Sequence, residues 1–172
     1  FTGGDVLTLD AQKGDRDLDI ATLDVVAGVT TLGDLASFMQ EGLGINTDPL
    51  IPTPPTPGVT INGAGQIVIT GHTGLENRIR FDTDGLTSTN PTFNAPFRLS
   101  ETIAASGESV FTQFFGYDSL GASLSVNVTL ALESTANTGN TVRFYVESAD
   151  DSDINLVLGS GTLRFDNLGE IL

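Results

Sequence analysis

Apolar residues recur along this chain at two spacings, and each spacing predicts a different kind of element. Leu124, Val126, Val128, Leu130 and Leu132 alternate with Ser125, Asn127, Thr129 and Ala131. Period two predicts a strand with one buried face. Val142, Phe144 and Val146 share a face of the next predicted strand, and Ser109 to Phe115 forms a Phe-rich one before it. Leu156 to Leu158 and Gly161 to Phe165 read as two further strands separated by Gly159-Ser160. In the first half, Asp5 to Leu9, Leu18 to Val26 and Arg78 to Asp82 read as strands. Val59 to Ile61 and Gln66 to Thr70 flank Asn62-Gly63-Ala64-Gly65, which predicts a hairpin. Polar turns at Asp118 to Gly121, Asn137 to Asn140, Asp150 to Asp153 and Asp166 to Gly169 punctuate the second half.

One stretch breaks this rhythm. Leu32, Leu35, Ala36, Met39 and Leu43 fall on one stripe of a helix over about residues 31–43. Thr30 or Thr31 can cap it, and Asp34 suits its positive end. Gly42 and Gly44 mark its stop. The proline-rich loop 49–57 follows, holding five of the seven prolines, and reads as a stiff, extended surface connector. Thr83 to Pro91 reads as a polar break, and a domain boundary is placed there. The expected fold is therefore mainly β, in two small sandwich- or barrel-like domains. Residues 1–90 form the first, with the helix and the proline-rich loop, and residues 91–172 form the second.

Composition narrows the function. With 22 acidic against 7 basic residues, the formal net charge is −15. Such a surface repels nucleic acid and anionic membranes. No apolar run approaches the ~20 residues a spanning helix needs. The chain has no cysteine, which excludes disulfides, thiolate metal sites and cysteine nucleophiles. Its one histidine, His72, sits in Thr70-Gly71-His72-Thr73-Gly74 and reads as a turn residue. The opening Phe1-Thr2-Gly3-Gly4-Asp5 has neither a basic nor an apolar signal region, and without an initial Met the chain reads as an excised fragment.

Candidate chemistry is thin. Gly14-Asp15-Arg16-Asp17-Leu18-Asp19 spaces carboxylates as an EF-hand loop begins. Ile20 stands where that loop needs glycine, and its twelfth-position glutamate is missing. Asp150, Asp151 and Asp153 read as a solvated loop. There is no Gly-x-x-x-x-Gly-Lys phosphate loop and no Gly-x-Ser-x-Gly elbow, and Lys13 is the only lysine. No catalytic, cofactor-binding or metal-binding residue is assigned, no cofactor is expected, and the chain is not expected to be an enzyme.

Phe114-Phe115-Gly116-Tyr117-Asp118-Ser119-Leu120-Gly121 resembles the aromatic-Asp-Ser-Leu-Gly turn in the middle region of bacterial flagellar hook proteins. The order continues: an alternating strand over Leu124 to Leu132, then Asn140-Thr141-Val142-Arg143-Phe144-Tyr145, then Leu163-Arg164-Phe165-Asp166-Asn167-Leu168-Gly169. The resemblance covers roughly residues 92–172. It departs from the family at Ala122, where Asn is frequent, and at Val142, near the place of a common Trp. In the first half, Thr30-Thr31-Leu32-Gly33-Asp34-Leu35-Ala36 followed by Gly65-Gln66-Ile67-Val68-Ile69-Thr70 is similar to inserts in hook, hook-associated and cap proteins.

The resemblance implies an extracellular structural subunit of the flagellar hook, exported by the type III apparatus. Copies of the full-length protein would pack into a flexible helical tube. The terminal helices that drive polymerisation in that family have no counterpart here, so this fragment is expected to be monomeric in dilute solution. The alternative class is an extracellular β-rich binding or adhesion module for glycan or calcium, supported by the acidic, Thr- and Gly-rich composition.

Overall fold

The strands close into two separate sheets and a small hairpin, with one helix packed against the first sheet. The computed structural model describes residues 3–47, 56–90, 99–117, 119–148 and 154–172. The chain is mainly β, as its periodicity predicts. Most of the proline-rich loop, Asp118 of the Asp-Ser-Leu-Gly turn and the Asp150, Asp151, Asp153 loop lie outside the described residues.

In the first sheet, β1 (Val6–Lys13) is central. On one side it pairs antiparallel with β2 (Arg16–Asp17) and then β3 (Ala21–Asp24), and on the other with β6 (Ile79–Ser88). The predicted strand Leu18 to Val26 is therefore shorter, and Arg16-Asp17 pairs ahead of it. β4 (Gly58–Ile61) and β5 (Ile67–Thr70) make the predicted hairpin. The helix α1 (Leu32–Gly42) buries Leu35, Phe38 and Met39 against Leu7, Leu9 and Leu86.

Helix α1 begins where its caps dictate. The Thr31 hydroxyl accepts from the Asp34 backbone N–H at 3.1 Å, and Asp34 Oδ2 accepts from the Thr31 N–H at 2.7 Å. This reciprocal box satisfies two donors the helix cannot. At the other end, the Gly44 N–H donates to Glu41 and the Ile45 N–H donates to Gln40, with Gly44 at φ +58°. That is a Schellman stop, and glycine fits its left-handed position without a Cβ penalty.

The polar stretch after Arg80 corrects the sequence reading. Strand β6 continues to Ser88 where a break was expected, pairing Leu86 with Leu9 and Ser88 with Leu7. The register shifts between Leu9 and Ala11, which marks a bulge. A Cβ on Gly85 would lie 2.8 Å from Cβ of Phe81, so glycine belongs in this crowded bend. Leu86 is buried in the first core.

The second sheet is an antiparallel meander in the order β10–β9–β8–β7. Its strands are β7 (Ser109–Tyr117), β8 (Ser123–Ala136), β9 (Gly139–Ser148) and β10 (Val157–Phe165). The two strands predicted around Gly159-Ser160 are one strand, β10, whose register shifts between Val157 and Gly159. The alternation along β8 and β9 holds, yet the fully covered side is the opposite of the predicted one. Thr129, Ala131, Arg143, Tyr145 and Glu147 are buried. Val126, Val128, Leu130, Val142, Phe144 and Val146 are only half-buried. The reason is that the first half of the chain packs on the polar side.

Candidate functional site: a buried polar junction

The two sheets meet through charged side chains. Leu7, Leu9, Ala11 and Lys13 all point from β1 into the interior, because strand side chains alternate. Lys13 is fully buried at the end of this row. Its ammonium donates to Gly44 O at 2.8 Å and Leu43 O at 3.4 Å, and pairs with Glu147 Oε1 of β9. Helix α1 has no basic residue in its last turn, so Lys13 places a cation at the negative end of the helix from outside it. Gly44 makes room: a Cβ there would lie 2.9 Å from Glu147 Oε1.

Arg16 enters from β2. Its Nη2 lies 3.7 Å from Glu147 Oε2 and 3.5 Å from Thr129 Oγ1, and its guanidinium sits 4.0 Å from the centroid of Phe111. That face contact is a cation–π interaction. Gly14, at φ +62°, makes the β1–β2 turn under Glu76, whose carbonyl oxygen would be 2.7 Å from a Cβ there.

His72 enters from the loop after β5. The sequence reads it as a turn residue, but it lies in an irregular connection and is buried. Its Nε2 is 3.0 Å from Asn46 O, and its ring lies 4.1 Å from that of Tyr145. Beside it, the 3-10 turn Leu75–Asn77 rests on the second sheet, with the Glu76 N–H donating to Ser109 Oγ at 2.9 Å. The Gly74 N–H and Leu75 N–H donate to Ser106 and Gly107. Arg143 is held by Glu133 through Nε and Nη2, at 3.0 and 2.9 Å from Oε1.

Burial dominates the electrostatics here. Loss of water lowers the Lys13 pKa, opposed by the Glu147 charge and hydrogen bond. Burial pushes His72 down to about 3, reinforced by the charge of Lys13. His72 is therefore neutral around pH 7. Burial raises the Tyr145 phenol. Lys13 and Glu147 are committed to each other and to the helix end, so the cluster's chemistry is that of a clamp between the sheets.

The carboxylates of the EF-hand-like stretch are drawn into a hairpin. Asp15 accepts from Arg80 Nη2 at 2.5 Å, and Asp17 accepts from Gln12 Nε2 at 2.7 Å. A half-open cleft of about 410 Å³ beside them is lined by Asp10, Gln12, Asp17 and Asp19 among others. Among the described residues, no group of three or more His, Asp or Glu side chains is placed to hold a metal ion. No described helix is long and apolar enough to cross a membrane.

Sequence reasoning passed over Lys13, Arg16 and Glu147. Two signals could have singled out Lys13: it is the fourth member of the row Leu7, Leu9, Ala11, and the chain contains no other lysine. No family model, no curated protein and no solved structure matches this chain.

Proposed function

We propose that this chain is a structural, non-catalytic building block of an extracellular assembly, the outer part of a hook-type flagellar subunit. The observation that carries the reading is where the hook-like motifs fall. All three lie on the second sheet. Phe114 to Gly121 spans the β7–β8 connection, and Asn140 to Tyr145 opens β9. Leu163 to Gly169 ends β10 and the turn beyond it.

The last two motifs touch. Asn140 pairs with Phe165 across the β9–β10 ladder. At Gly139 a Cβ would lie only 1.9 Å from Phe165 O. Residues that recur together in the resemblance thus have a packing reason to do so. The clamp of Lys13, Arg16 and Glu147 adds support, because it ties the two sheets together through buried ion pairs. A flexible tube of rigid blocks needs stiffness within each subunit and exchangeable polar contacts between them.

Antibodies raised against this chain should decorate the short curved segment between envelope and filament on cells that encode it, as seen by immunogold electron microscopy. Label spread over the general cell surface, with none on flagella, would refute the hook reading. That outcome would favour a binding module using the Asp10, Asp17, Asp19 cleft.

A further inference from the structure

The two edges of the second sheet are built differently. Along β10 stand a register shift between Val157 and Gly159, glycines at 159 and 161, and Arg164. The bridge between Phe165 and Ile171 covers its end. Bulges, glycines, charges and covering segments are the devices that keep a sheet edge from accepting another strand. The opposite edge, β7, has a single glycine, Gly116 near its end, and neither a register shift nor a charge. Its sequence, Ser-Val-Phe-Thr-Gln-Phe-Phe-Gly-Tyr, holds no charge and no proline. Its register with β8 runs unshifted from Ser109↔Ala131 to Tyr117↔Ser123. Among the described residues no strand pairs with its outer side. Phe114, Phe115 and Tyr117 are 58, 68 and 76% exposed on it.

An alternating row of amide and carbonyl groups is matched by an extended peptide, which is how strand addition works. Charge decides which peptide. A basic segment would be drawn to carboxylates, yet β7 offers none, and the cation Arg16 lies over its Phe111. A second β7 fits better, because its nine paired residues carry no carboxylate despite the net charge of −15, and the acids Glu108 and Asp118 flank the strand in sequence only beyond its two ends. An antiparallel two-fold pairing centred on Gln113 aligns all nine residues and places Phe111 opposite Phe115 of the second copy. Aromatic cross-strand pairs of this kind stabilise antiparallel ladders. The register also keeps Val110 and Phe114 of both copies on the same side as Val126, Val128 and Leu130. Two half-exposed apolar faces would then join across the seam.

We propose that β7 is a strand-accepting edge whose partner is β7 of a second copy of this chain. A single nine-residue strand pair is a small seam, and stable interfaces begin only near ~1,200 Å². Pairing is therefore weak, absent in dilute solution and growing with concentration. The inference stands whether or not the chain belongs to a flagellum.

Sedimentation equilibrium over a concentration series tests it. The expected result is a dimer fraction that rises with concentration. Phe115→Lys, which sets a charge against the opposite strand, should weaken pairing at least tenfold while keeping the melting temperature. The chain has no cysteine, so Gln113→Cys reports the register directly. Directly opposed Cα atoms lie within disulfide reach, and oxidation should give a covalent dimer. Leu158→Cys on β10 should not. A chain monomeric up to about 1 mM, a folded Phe115→Lys variant that pairs as well as the parent, or equal cross-linking of both cysteine variants would each overturn the proposal.

Discussion

The two sides of the β7–β10 sheet invert the usual relation between polarity and burial. One side carries Thr129, Arg143, Tyr145 and Glu147 and is covered. The other carries Val126, Val128, Leu130, Val142, Phe144 and Val146 and is only half-covered. Burial here follows the neighbour: the first half of the chain packs where Lys13, Arg16 and His72 find partners. Hydrophobic content alone would choose the other side. A covered charge is costly unless paired and hydrogen-bonded. The polar side therefore holds its energy in a few specific contacts, and the apolar side holds it in many weak ones.

Breaking the clamp tests that contrast most severely. Glu147→Ala leaves the Lys13 cation buried without its carboxylate, which typically costs about 3–5 kcal/mol, while Lys13→Ala leaves Glu147 only its 3.7 Å contact with Arg16 and should cost less. The double variant Lys13→Met with Glu147→Leu should recover part of that loss, since both buried charges leave together and only the partly exposed end of the network, Arg16, loses its carboxylate. Urea unfolding of the three variants reads the difference. A single variant as stable as the parent would mean the junction opens to water.

Acid should loosen the polar side next. His72 binds its proton in the folded protein only near pH 3, against about 6.5 when exposed. Between those values the unfolded chain takes up the proton and the folded one does not. The His72 contribution is thus fully present above pH 6.5 and is lost as pH falls towards 3. The slope approaches ~1.4 kcal/mol per pH unit, or about 3 kcal/mol between pH 7 and 4. Stability of the parent minus that of His72→Gln, followed over this range, isolates the effect from the titrating carboxylates. A difference independent of pH would place His72 in water.

The apolar side should respond least. Val128→Ala removes two methyl groups from a half-buried position. Its cost should stay under about 1.5 kcal/mol, below the 2–5 kcal/mol range for Leu, Ile or Met to Ala in cores. A larger loss on thermal or urea unfolding would show that this side is covered as deeply as the first core.

These asymmetries explain what could be read in advance. Helix α1 was legible because its signals are local: a Thr31–Asp34 box, an apolar stripe and glycines at the stop. Alternation along β8 and β9 was legible for the same reason. Which side of those strands would be covered was not, because period two defines two sides and leaves open which one meets a neighbour. Strand β6 hid behind Thr, Asp, Gly and Ser, whose preference for turns was overridden by pairing with β1. The clamp was least visible. Lys13 and Glu147 lie 134 positions apart, and each alone looks like a surface charge.

The burial of Lys13 also settles what amine chemistry can reach. No side-chain amine of this protein stands in solvent while the fold is closed. Acylating reagents, reductive methylation and trypsin at Lys13 must all wait for the sheets to part. The solitary lysine is thus a built-in timer of that opening.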